Sequence, residues 1–408
     1  MKKILYIDYW TKGSHNFLRL DKELRKHCVT LFLHLSSWRE EGNSRERHVD
    51  GLPFRDISYY DTNYVFKVLE RERPCAVILL NLNTITDRSI VLSCKQLGIK
   101  VIYLSHGSLS VYEKIDDLIT SGRVYYFNNV IARARRTIFR VFPDYWYSKR
   151  RCGGSLFSVL RSVMMHLWNY GRPVRHFMFP QYNNELDADV CLVFSRNDFD
   201  VFTEYRGYPK EKIVITGNPE YDEFFVDYER DKNNTKKNTK VTYVDEGSID
   251  DILTIDEHID ALRDIQETAV KCGLQFEIKL HPRTYDRADT YRKALPRSVV
   301  ITQIKFHSLF RDSRIVISQG STVILYAMCM GIPVLVPRFG SFLKFPEYYR
   351  KETVMTCNNL HELELCMKQP KINKQPYSDF LSRFITYQDS MSLNRILESI
   401  KSHVGITS

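Results

Sequence analysis

Apolar residues in this chain come in short blocks separated by longer stretches with helical spacing. ILYIDYW, VTLFLHL, CAVILLNL and KVIYLS each have the length of a buried strand. Between them lie a polar turn at Thr11-Lys-Gly-Ser14, a helix-like run to about His27, and helical spacing near Tyr64–Arg71 and over about Asp87–Leu97. Past the middle of the first half the alternation resumes with DADVCLVFS, the helix-like DFDVFTEYRG and EKIVITGNPEYD. Apolar blocks spaced by helical segments of about 10–15 residues predict βαβ units around a parallel sheet.

At Asp231–Lys240 the text becomes DKNNTKKNTK, without one apolar side chain, and predicts a linker. A second α/β series follows: VTYVDEG, a helix over about Ile255–Cys272, FEIKLHP, SVVIT, RIVISQG, the helix STVILYAMCM and IPVLVP. The length of 408 residues also argues for two cores, since single cores stop growing near about 250–300 residues. The expected architecture is α/β, with two Rossmann-like, doubly wound domains facing a cleft. Residues 1–231 form the first, with a basic aromatic insertion at about 123–178; residues 232–240 link it to a second at 241–372. Residues 373–408 form a helical tail packing back on the first domain, with a helix near Ser392–His403.

Composition narrows the class. At 43% hydrophobic and 26% charged residues, wholesale disorder is excluded. Met1-Lys-Lys leads into a run that holds Asp8 and is too short for a secretory core, so it reads as a first strand. Ile315 to Pro337 has the length of a membrane span, yet Gly320, Ser321, Gly331 and two prolines divide it into strand, turn, helix and strand. Nine cysteines without a CxxC pair, mostly in apolar runs, predict buried reduced thiols and a cytosolic compartment.

The net charge of +10 is unevenly placed. Arg123 to Arg175 carries eleven Arg or Lys and a single acid, Asp144, with Tyr, Trp and Phe interleaved. That mixture suits an anionic membrane surface, where rings lie at headgroup depth. A solvated basic loop or helix over the acceptor site would give the same text. Nucleic acid is set aside, because no recognised module accompanies the charge.

Three motifs each end a strand-like block: Asp245-Glu246-Gly247 after KVTYV, His281-Pro282-Arg283 after FEIKL, and Ser318-Gln-Gly320-Ser321-Thr322 after IVI. Ligands of open α/β sheets bind at the carboxyl ends of the strands. Ser321 and Thr322 would open a helix, whose unpaired N–H groups favour phosphate, although Ser321 as a plain N-cap reads equally. His281 can accept, donate or carry charge near neutrality, and Arg283 can clamp an anion. Asp245 or Glu246 can take a proton from a hydroxyl, or merely cap the next helix. These two acids, with Asp250 and Asp251, lack a nucleotide-metal context, and no metal or other cofactor is expected. His106-Gly107-Ser108 after KVIYLS offers a second base or phosphate contact, Gly217-Asn218-Pro219 a tight turn near the cleft, and Lys12-Gly13-Ser14 a substrate contact.

Together these residues resemble bacterial surface-polysaccharide glycosyltransferases of the GT-B fold. The acidic triplet, the His-Pro pair and the downstream Ser/Thr motif look like the signature of bacterial sialyltransferases and polysialyltransferases. That resemblance implies a CMP-sugar donor and a glycan or lipid-linked glycan acceptor. It makes Asp245 or Glu246 the base and His281 a phosphate contact that protonates the leaving group. Pro282, Arg283, Ser318, Gly320, Ser321, Thr322, Gly217 and Asn218 would hold the nucleotide phosphate, without metal. A cytoplasmic enzyme peripheral to the inner face of the plasma membrane follows. The HGS at residue 106 and the TGNPEYD segment also look like CDP-glycerol glycerophosphotransferases, where the histidine of the HG motif is the base. A UDP-GlcNAc 2-epimerase-like enzyme and a non-catalytic scaffold of polysaccharide assembly are the remaining readings.

Overall fold

The computed structural model describes residues 1–8, 15–35, 45–106, 137–169, 181–231, 238–247 and 252–406. They divide into two compact units.

The first unit holds strands β1 (Lys3–Asp8), β2 (Val29–His34), β3 (Glu46–Val49), β4 (Leu52–Asp56), β5 (Ala76–Leu79), β6 (Lys100–Leu104), β7 (Val190–Val193) and β8 (Ile213–Ile215). Their order in the sheet is β3-β4-β2-β1-β5-β6-β7-β8. All neighbours are parallel except the β3–β4 pair. β5 is buried at every position, as a parallel strand must be when helices cover both faces. The helix Ile85–Leu97 shows how sharply the sequence sets its ends: Thr84 and Asp87 form a reciprocal capping box, and Gly98 closes it with φ +67°. On one face of the sheet Leu5, Leu33, Val77 and Val101 join Leu69 and Val91; on the other Ile4, Phe32, Ile78 and Ile102 join Phe17. The last helix, Ser392–Val404, docks on that second face through Ile396, Leu397, Ile400 and Val404.

The second unit holds β9 (Lys240–Val244), β10 (Gln275–Lys279), β11 (Ser298–Ile301), β12 (Ser313–Ile317), β13 (Val334–Pro337) and β14 (Met355–Cys357). The order is β11-β10-β9-β12-β13-β14, parallel throughout. Chain direction across the sheet therefore reverses between β9 and β12, the point at which such sheets open a crevice. The helix Ile255–Lys271 covers one face, started by a Thr254–Glu257 capping box.

The unit boundaries fall elsewhere than the composition suggests. Among the described residues the first unit is 1–106, 137–217 and 391–406, and the second is 218–390. The helix Pro219–Asp231 belongs to the second unit because Tyr221, Phe224 and Phe225 pack beside Tyr326 and Phe310. Only the end of the tail joins the first unit; the helix Lys374–Phe384 buries Tyr377, Phe380 and Phe384 in the second. Residues 232–237 of the polar run lie outside the described residues. The 315–337 stretch is strand, helix and strand, as its glycines and prolines imply, and no helix of the described residues is long and apolar enough to cross a membrane.

Candidate functional site

A single carboxylate organises the loops after β9 and β10. Asp245 follows β9 and is buried. Its Oδ1 accepts the Gly247 N–H at 2.9 Å, while Oδ2 accepts the His281 N–H at 3.1 Å and the Thr284 hydroxyl at 2.8 Å. Hydrogen bonds to an ionised acceptor are the stronger kind, so this acid braces two loops that are 36 residues apart in sequence. Glu246 beside it is half-buried.

The brace fixes the imidazole. His281 Nδ1 accepts the Arg283 N–H at 3.2 Å, which leaves the proton of the neutral ring on Nε2. Burial pushes the His281 pKa below its usual value, with Arg283 and Lys279 acting the same way and Asp245 opposing them. The ring lies against Gly247, whose φ is +72° and whose missing Cβ would sit 2.4 Å from Nδ1. Pro282 opens the 3-10 turn Pro282–Arg287, which carries Thr284 inward and leaves Pro282 and Arg283 exposed.

Behind the brace lies a buried polar chain. His258 bridges the Tyr243 hydroxyl at 3.0 Å and the Tyr291 hydroxyl at 2.7 Å. Burial lowers the His258 pKa, against the pull of Asp245. A neutral imidazole can accept from one phenol and donate to the other.

The third motif folds differently from expectation. The α-helix is Ile324–Cys329, and Ser321 and Thr322 lie in the turn before it rather than in its first turn. The reason is local. Ser318 Oγ accepts the Ser321 N–H at 3.3 Å, Ser321 Oγ accepts the Val323 N–H at 3.3 Å, and the Ser321 carbonyl accepts the Ile324 N–H. Side-chain bonds of this kind compete with helix, and they occupy donors that a phosphate was expected to meet. Ser318 also donates to the Val244 carbonyl at 3.0 Å, which joins the β12 loop to the end of β9. Gly320 and Ser321 are buried, and Thr322 is exposed. Gln319 is fully buried, with Nε2 on the Pro337 carbonyl at 3.0 Å.

The structure thus gathers Asp245, Glu246, His281, Pro282, Arg283, Ser318, Gly320, Ser321 and Thr322 on the carboxyl edge of one sheet, at β9, β10 and β12. His106 belongs to the first unit, exposed just beyond β6; Gly107 and Ser108, like Lys12, Gly13 and Ser14, lie outside the described residues. Gly217 turns the chain at φ +84°, and Asn218 Oδ1 accepts the Glu220 N–H at 3.0 Å to start the helix Pro219–Asp231. Their visible work is a turn and a cap. Of the basic segment, residues 137–169 are described. Among the described residues no group of three His, Cys, Asp or Glu is placed to hold a metal ion.

One member of the site escaped the sequence reading: Thr284 is three residues past His281, a spacing that a tight turn brings back to the acid. Ser318, read from the sequence as a phosphate contact, serves the loop geometry. The Tyr243–His258–Tyr291 chain had no signal beyond three polar side chains in apolar surroundings.

No family model and no curated protein matches this chain. Solved structures do. A variant of the wall teichoic acid polymerase TagF superposes with TM-score 0.55 at 12% identity, over 99% of this chain and 89% of that one. The same polymerase soaked with CDPG gives TM-score 0.52 at 11% identity, over 99% and 89%. The S. aureus MnaA–UDP structure gives TM-score 0.50 at 14% identity, over 100% and 98%. At these identities the likeness concerns the fold: two parallel α/β sheets, as in the Rossmann-like domains of GT-B proteins.

Proposed function

We propose that this chain is a glycosyltransferase that uses a nucleotide-activated sugar, with the donor phosphate held by the second unit. One observation carries the reading: the acidic, His-Pro and Ser/Thr motifs meet at the carboxyl ends of β9, β10 and β12, where the strand order reverses. The fold shared with TagF soaked with CDPG and with MnaA–UDP supports a nucleotide ligand.

In this reading Asp245, both of whose oxygens already accept bonds from protein donors, is the positioning residue, and Glu246, next to it in the chain, is assigned as the base. Glu246 takes the proton of the acceptor hydroxyl, whose oxygen bonds to the anomeric carbon. The bond from that carbon to the phosphate oxygen breaks, and the nucleotide leaves with its electron pair. The Nε2–H of His281 donates to that oxygen, with Arg283 and the Thr322 hydroxyl stabilising the charge; Pro282 and Gly320 shape the loops. A preorganised donor of this kind is worth roughly 3 kcal/mol in the transition state. The scheme uses no metal. The best donor is a CMP-activated sialic acid or related keto-sugar, and the acceptor a hydroxyl of a glycan, lipid-linked at the cytoplasmic face of the membrane, as in capsule or lipopolysaccharide synthesis.

A CDP-glycerol glycerophosphotransferase with His106 as base is the second reading, favoured by His106 at the end of β6 and by the TagF likeness. Purified protein incubated separately with CMP-sialic acid, CMP-Kdo, CDP-glycerol and UDP-GlcNAc decides between them. CMP release with sugar transfer is the expected result, and CMP release from CDP-glycerol would select the second reading. Epimerised UDP-GlcNAc would select a 2-epimerase. Neither release nor binding would leave a scaffold and sink the enzyme reading.

A further inference from the structure

Among the described residues, seventeen large hydrophobic side chains are exposed, and seven of them fall between Ile138 and Met164. The other ten are scattered over the remainder of the chain, as is ordinary on a soluble surface. The helix Leu156–Asn169 explains the concentration. It turns Val159 into a small core with Ile85, Leu92 and Tyr145, and Val163 packs against the same cluster. At 3.6 residues per turn, Leu156, Leu160, Met164 and Phe157 continue from that seam over an arc of about 100°. They are 63%, 53%, 62% and 76% exposed. The apolar sector is therefore wider than the core beneath it needs. The segment before the helix repeats the pattern: Ile138 is 55% exposed, Phe139 69% and Trp146 38%. The helix Phe142–Arg151 touches both segments.

The exposed charge that this segment itself carries is of one sign. Residues 137–169 contribute Arg140, Lys149, Arg150, Arg151 and Arg161, and their one acid, Asp144, is fully buried. The Arg150 guanidinium lies 5.5 Å from the Trp146 ring centroid and that of Arg151 5.3 Å from Tyr147. Cations beside indole and phenol, next to aliphatic side chains on a 14-residue helix, match a headgroup region above acyl chains. The helix is too short to span a bilayer.

We propose that Ile138, Phe139, Leu156, Phe157, Leu160 and Met164 form an apolar face that inserts into the plane of an anionic lipid surface, with Arg140, Arg150, Arg151 and Arg161 meeting the lipid phosphates. This docking is independent of the catalytic reading. It is read without substrate, by sedimenting the full chain with phosphatidylcholine vesicles that contain or lack phosphatidylglycerol. Binding should require the anionic lipid and weaken with salt. The paired substitution Phe157→Ser with Leu160→Ser should lower the partition coefficient about tenfold or more, at an unchanged melting temperature. A second arm needs no variant of the helix: brominated lipid should quench fluorescence in the native chain, and Trp146→Phe should reduce that quenching. Absence of binding to anionic vesicles, or binding that the paired substitution leaves intact, overturns the proposal. Self-association abolished by the same pair, without vesicle binding, would also overturn it and assign the face to a second copy of the chain.

Discussion

Gly247 and the imidazole of His281 are in direct contact, so close that a Cβ on the glycine would lie 2.4 Å from Nδ1 and 2.7 Å from Cγ. The φ of +72° independently disfavours any L side chain there. Gly247→Ala should therefore cost more than backbone strain, roughly 1–2 kcal/mol, and should displace the ring. Gly273 has φ +70° and open space around its Cβ direction, which makes Gly273→Ala the control. Nucleotide affinity, measured by calorimetry, should fall at least about tenfold in the first variant and stay unchanged in the second. Equal effects would mean that the contact with His281 carries no function.

Thr284→Val removes one of three donors to a buried carboxylate while keeping the shape. The loss should be about 1–3 kcal/mol of unfolding free energy, seen as a lower urea midpoint at constant slope. Because the same bond steadies the His281 loop, donor affinity should weaken as well. A stable protein with full affinity would show that Asp245 needs only the two backbone N–H groups.

His281 gives a pH signature. Its pKa is held below the usual histidine value, chiefly by burial, so the ring of the free protein is neutral at pH 7. A bound phosphate favours the charged ring, and affinity should rise as pH falls from about 7 towards the depressed pKa. His281→Gln should flatten that difference and lower turnover at least about tenfold. Affinity profiles that coincide in the two proteins would remove His281 from the phosphate.

Asp144 should dominate a different titration. Burial raises its pKa to about 7, and its Oδ1 accepts the Val65 N–H at 2.7 Å at the start of the helix Val65–Glu72. A raised carboxyl binds its proton more tightly in the folded state, so stability is lost as pH rises from about 4 to 7 and is flat above. Asp144→Asn keeps the acceptor and removes the titration. Its melting temperature should exceed that of the native chain by a few degrees, about 2–4 °C or more, at pH 8, with little difference at pH 4. A constant offset at both pH values would contradict the assignment.

The fold was largely readable because buried parallel strands write themselves as uninterrupted apolar blocks, and the blocks from ILYID to IPVLVP became β1, β2 and β5 through β13, while β3 and β4 fell in a stretch that reads as polar. The placement of the motifs on strand ends followed from that alone. Two kinds of information were not in the text. Unit membership depends on where an amphipathic helix finds its apolar partner, and Tyr221, Phe224 and Phe225 are silent on that until Tyr326 is placed beside them. The helix start near Ser321 turned on hydroxyls choosing between capping and looping, an energy difference too small for spacing to reveal. Asp245 was visible as an acid, but not as an acceptor already satisfied from three directions.

That satisfied acid has a kinetic consequence. The loops proposed to meet the donor are cross-linked by the protein itself, so their ordering is completed when the chain folds and not when a substrate arrives. Donor binding to the second unit should then resemble a key entering a cut lock, with little slow relaxation after encounter and association limited by diffusion and charge steering.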